Sequence, residues 1–133
     1  MFLLDTDTLS GFRKRNRDPG LLDWMSAQRM SDLYISVVSV GEIEWGVIRQ
    51  QRRNPEFARS LAVWLDGLMT VYAERILPVD LAMARRWGIL SGALGHDNSD
   101  LFIAAMALEH GLTVVTRNVR HFEPTGVPVL NPF

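Results

Sequence analysis

Residues 100–116, DLFIAAMALEHGLTVVT, pass from one backbone pattern to another across a single glycine. Asp100 to His110 is apolar nearly all round, the pattern of a helix wedged deep in a fold rather than laid on its surface. Gly111 supplies the stop signal. Leu112 to Val115 then reads as a short buried strand. A deeply buried helix that runs straight into a buried strand suits a parallel sheet, whose strands need crossover connections and are covered on both faces.

The alternation continues in both directions. Phe2 to Leu4, Leu33 to Val38 (LYISVV) and Ile76 to Val79 read as further buried strands, and Val127 to Leu130 as a last short one after Pro124 and Gly126. Between them lie helical patterns at Leu21 to Arg29, after the Asp18-Pro19-Gly20 turn, and at Val40 to Gln50, Pro55 to Ala73 and Leu81 to Leu94. The expectation is an α/β fold, a parallel sheet with helices on both faces, spanning residues 1–133 as one domain without repeat or linker. The chain's 133 residues, 47% of them hydrophobic, suffice for a core without metal or disulfide staples. Trp24, Trp45, Trp64 and Trp87 read as helix-face core.

Composition narrows the chemistry. With no cysteine, a disulfide framework, a thiol nucleophile and a thiolate zinc site are excluded. The start, MFLLDTDTLS, has only a four-residue apolar run before an acid, and no window reaches membrane-spanning length, so the expected setting is cytoplasmic with no membrane partner. A net charge of −1 lacks the basic excess common in nucleic-acid binders. Carboxylates reserved for a metal would, however, be neutralised by it, leaving the clusters Arg13, Lys14, Arg15, Arg17 and Arg49, Arg52, Arg53 to meet phosphates or merely water.

In an open parallel sheet, ligands collect beyond the carboxyl ends of the strands. Asp5 stands there, directly after Phe2-Leu3-Leu4, while Asp7 and Thr8 read as caps of the following helix. Glu42 falls in the first turn after the second strand, where Ser39 and Glu42 also match a capping box. Glu44 points to another face. Asp100 heads an otherwise apolar buried helix, where an unpaired carboxylate would cost several kcal/mol, roughly, unless it met a partner. Asp97, Asn98 and Ser99 are N-cap candidates, and Asp97 could also join Asp100. Three carboxylates at one sheet edge make a hard oxygen site suited to Mg²⁺ or Mn²⁺.

The blocks LLDTDTLS, ISVVSVGEIEWGV, DLFIAAMALEHGLTVVTRNVRHF and VPVLNPF together resemble PIN-domain ribonucleases, especially VapC-type toxins of type II toxin-antitoxin systems. The resemblance spans nearly the whole chain. It implies a three-layer α/β/α sandwich, metal-dependent RNA cleavage, a cognate VapB-type antitoxin folding over the active site, and a homodimer. Carried over, the family's acids are Asp5, Glu42 and Asp100, as metal ligands and catalytic groups. The departure is TRNVRHF, where the family commonly has an acid before the phenylalanine and this chain has His121. An imidazole there could ligate metal itself or change the metal preference. Asn118 could hold water or phosphate, Arg117 and Arg120 could grip phosphates, and Thr6 and Thr116 could tune the carboxylates.

Two rival functions follow from the same residues. Asp5-Thr6-Asp7 looks like the nucleophile segment of haloacid-dehalogenase-type phosphatases, a chemistry that needs a supporting lysine, and the only lysine is Lys14. The loss of the fourth acid at His121 suggests instead a module that binds RNA or antitoxin without cutting. A groove between the helices at Leu21 to Arg29 and Pro55 to Ala73 is the expected antitoxin seat.

Overall fold

Phe2-Leu3-Leu4 has no polar side chain, and it forms the middle strand of the sheet. The computed structural model describes residues 1–133. Its five parallel strands are β1 (Phe2–Leu4), β2 (Leu33–Ser36), β3 (Ile76–Leu77), β4 (Thr113–Val115) and β5 (Val129–Leu130), in the order β3-β2-β1-β4-β5. Leu3 pairs with Tyr34 on one side and Val114 on the other. Asp5 therefore leaves the sheet at its centre.

Seven helices cover the sheet: α1 (Thr6–Arg13), α2 (Pro19–Ser26), α3 (Val37–Arg53), α4 (Pro55–Val71), α5 (Leu81–Leu94), α6 (Asp100–His110) and α7 (Val119–Phe122). The strand residues alternate between the two faces, as a pleat requires. Leu3 and Val114 pack with Met83, Ile103, Met106 and Phe122 from α5, α6 and α7. Leu4, Leu33, Ile35 and Val115 pack on the opposite face with Leu9 of α1, and Trp24, Val40 and Trp64 of α2, α3 and α4 lie against that cluster. This is the expected α/β/α sandwich. Stacking of Trp87 on Phe102, 4.5 Å between centroids, joins α5 to α6.

α5 and α6 keep their expected bounds, each closed by a left-handed glycine, Gly95 at φ 76° and Gly111 at φ 66°. Other boundaries move. β2 ends at Ser36, whose hydroxyl caps α3 by accepting from the Val38 amide, so α3 begins at Val37 rather than Val40. The Ser39–Glu42 capping box is consequently not made, and Glu42 lies in the second turn. Likewise Asp5, not Asp7, caps α1, its Oδ1 accepting from the Thr8 amide at 2.8 Å. Asn98 accepts from the Asp100 amide at the head of α6, so Asp97 is not the cap. Trp24, Trp64 and Trp87 pack against the core, but Trp45 is 63% exposed because it sits on the helix face away from buried Ile43 and Val47. No helix is long and apolar enough to cross a membrane.

Candidate active site

The three sequence-singled acids arrive at the carboxyl edge of the sheet from three elements. Asp5 follows β1, Glu42 comes from α3, and Asp100 opens α6. Asp5 is buried, only 2% exposed, with its amide bonded to the Val115 carbonyl of β4. Burial raises its carboxyl above the ordinary value, hydrogen bonding to Thr116 and Thr8 opposes this, and the charge of Asp7 adds to it.

Thr6 links α1 to α3. Its hydroxyl donates to Glu42 Oε1 at 2.9 Å and lies 2.8 Å from the hydroxyl of buried Ser39. Glu42 has its carboxyl pushed up by partial burial first, against the Thr6 bond, and then by the charges of Asp100 and Asp5. Glu42 thus feels the charges of both Asp5 and Asp100. Ser99, the residue before Asp100, lies close enough to Glu42 to oppose that rise. Sequence reading had given Ser99 only as an N-cap candidate, and its side chain makes no cap bond.

His121 Nδ1 stands 2.9 Å from Asp100 Oδ2. The carboxylate can only accept, so the proton belongs on Nδ1 and a neutral ring keeps its lone pair on Nε2. His96, Asp97, Arg120 and His121 line a polar pocket with Asp100, of about 460 Å³ and without a hydrophobic residue. Asp97 thus shares the pocket. Asn118 donates to Asp7 at 3.0 Å beside the site. Arg117 does not join them: its guanidinium lies 4.2 Å from the Phe133 ring centroid, in a separate pocket with Lys14 and Arg17. Lys14, the lysine that a phospho-aspartate chemistry would need, lines that separate pocket and not the one with Asp100.

The donor set fits a hard divalent cation, being three carboxylates brought from β1, α3 and α6 to one sheet edge. No three acids or histidines are drawn into a ready-made cage. Asp5 is turned to Thr8, Glu42 to Thr6, and Asp100 to His121.

Residues 2–126 match the PIN domain family. The chain belongs to it. Among PIN-domain relatives, the chain is 31% identical to VapC ribonuclease Y4jK of Sinorhizobium fredii, over all of this chain and 98% of the relative. It is 30% identical to Toxin FitB of Neisseria gonorrhoeae, over all of this chain and 99% of the relative. The crystal structure of FitAcB from Neisseria gonorrhoeae superposes with a TM-score of 0.87 at 30% identity, covering 99% of this chain and 98% of that one. The PIN-domain match also extends through the segment that holds His121.

Proposed function

We propose that this chain is the toxin of a toxin-antitoxin pair and a metal-dependent ribonuclease, a hydrolase of RNA phosphodiesters, with Asp5, Glu42 and Asp100 as its catalytic carboxylates. The observation that carries the reading is the convergence of those three carboxylates, after β1, in α3 and at the head of α6, on the carboxyl edge of the sheet. The family and the relatives' names, VapC ribonuclease and Toxin FitB, support it. A bound Mg²⁺ or Mn²⁺ would supply Lewis-acid charge and activation of water.

The chain's own residues do the rest. Asp5, fixed by its bonds to α1 and buried at the centre of the sheet, provides a rigid acceptor. Thr6 holds the Glu42 carboxylate, and His121 holds that of Asp100, so each acid is oriented by a neighbouring donor. Arg120, lining the Asp100 pocket, is placed to grip a substrate phosphate, with Asn118 at the rim.

The partner is a VapB-type antitoxin, and its seat is an apolar groove of about 430 Å³ lined by Leu9, Phe12, Met25, Trp64, Leu68 and Tyr72. That groove is walled by α1, α2 and α4, the last two being the helices between which the sequence suggested a seat. A homodimer has candidate apolar surface in Trp45 and Ile48 of α3, 63% and 58% exposed. The setting we infer is the cytoplasm, where RNA and antitoxin are both at hand.

The test is incubation of the purified protein with a mixed RNA pool in EDTA, Mg²⁺ or Mn²⁺, beside Asp100→Asn. Metal-dependent cutting that falls at least about a hundredfold in the variant is the expected result. A folded, metal-bound wild type that cuts nothing overturns the reading in favour of a module that binds RNA or antitoxin without cleaving.

A further inference from the structure

Arg13, at the end of α1, is a cation without an anion. Its guanidinium carbon lies 4.9 Å from the Phe57 ring centroid and 6.0 Å from that of Trp64. Its Nε is buried with no hydrogen-bond partner, and none of the molecule's ion pairs includes it. A buried, unsatisfied donor is costly, and an anion brought against the groove-lining part of the same guanidinium would offset that cost. Its sequence neighbours Lys14, Arg15 and Arg17 are exposed to water instead.

Arg13 closes one end of a groove of about 210 Å³ between α1 and α3. Thr6, Ser10 and Arg13 form one stripe on α1 at helical spacing, and Glu42, Gly46 and Gln50 face them from α3. At the other end Glu42 is bonded to Thr6. Seven residues of helix separate Thr6 from Arg13, about 10 Å along the axis. One channel thus runs from a catalytic carboxylate, past a hydroxyl and an amide, to an unpaired guanidinium.

We propose that Arg13 binds a backbone phosphate of the RNA strand flanking the cleaved linkage, making the α1–α3 groove a substrate subsite. This rests on the ribonuclease reading of the adjoining carboxylates. The planar fork matches a phosphate bidentately, and the Phe57 and Trp64 rings hold it in place, which lowers the entropy lost on binding. Ser10 and Gln50 offer donors and acceptors suited to sugar and phosphate oxygens. A helical peptide with an apolar face is better served by the neighbouring groove around Leu9 and Leu68.

The experiment measures binding of a labelled single-stranded RNA by fluorescence anisotropy in an Asp100→Asn background, with a single neutral methylphosphonate walked along the strand. Arg13→Gln is expected to weaken binding about tenfold and to lower the slope of log affinity against log salt by about 0.7. One flanking methylphosphonate should weaken the protein that has Arg13 and leave Arg13→Gln unaffected. Arg13→Lys, which keeps charge but not the fork, should recover only part of the loss, and thermal melts hold each variant to the folded state. An unchanged salt slope, or every methylphosphonate costing both proteins equally, overturns the subsite. So does a variant that binds RNA normally but loses an acidic antitoxin peptide. If the wild type neither cuts nor binds RNA, the ribonuclease reading falls with it; if the wild type cuts and Arg13→Gln is indistinguishable from it, only the subsite falls.

Discussion

His121 Nδ1 meets Asp100 Oδ2 at 2.9 Å, so a histidine orients the carboxylate that opens the most buried helix of the fold. The ring gives Asp100 a donor at a position where a carboxylate would set a second negative charge beside it. His121→Asp would set two carboxylates against each other. In EDTA the variant should melt below wild type, and Mg²⁺ should raise its Tm by more than it raises that of wild type. An equal Mg²⁺ increment in the two proteins would show that position 121 does not feel the metal.

Thr6 bonds both Glu42 and Ser39, a hydroxyl shared between two helices. Thr6→Val keeps the shape and removes the donor. Loss of such an orienting bond should weaken Mn²⁺ binding, read by titration calorimetry, about tenfold. Unchanged affinity would mean that Glu42 needs no positioning.

The raised carboxyls make stability depend on pH in a definite sense. Burial lifts Asp5 above its ordinary 3.8, with Asp7 adding, and lifts Glu42 above 4.5, with Asp100 and Asp5 adding. The unfolded chain keeps the ordinary values, so below them both states are protonated and the protonated folded form has its full advantage. That advantage is lost as pH rises through the ordinary values to the raised ones. Measured in EDTA, Asp5→Asn, which keeps a cap acceptor for Thr8, should melt above wild type at about pH 7, with the difference closing toward about pH 4. A constant difference across that range would contradict the shift.

Gly67 sits inside α4, and a Cβ built there meets no atom within 4 Å. Gly67→Ala should therefore stabilise the fold by about 0.5–1 kcal/mol, seen as a shifted denaturant midpoint with an unchanged slope. The same open space lies on the apolar groove. Gly67→Trp should fold, fill the groove and abolish antitoxin capture; retained capture would place the antitoxin elsewhere.

The fold was legible because its signals are local. Apolar runs such as Leu33-Tyr34-Ile35 and the helix stops at Gly95 and Gly111 can be read without knowing what lies across the sheet. Asp5, Glu42 and Asp100 were legible as candidates for a similar reason: each follows a strand, heads a helix or lies near a helix start on the edge where parallel-sheet ligands gather. What the residues hold was decided in three dimensions. Ser39 looked like a cap and became a buried partner of Thr6, 33 residues away, because α3 starts three residues earlier than its pattern suggests. Arg117 and Arg120, three apart in sequence, went to different pockets, since α7 begins between them and turns the chain. Arg13 is indistinguishable in the sequence from its three basic neighbours. Only the packing of α1 against α3 and α4 set its guanidinium beside Phe57 and Trp64 with no acceptor. Sequence fixes periodicity and chain order, which are short-range, whereas hydrogen bonds and charge fields depend on distances between residues that only tertiary packing brings together.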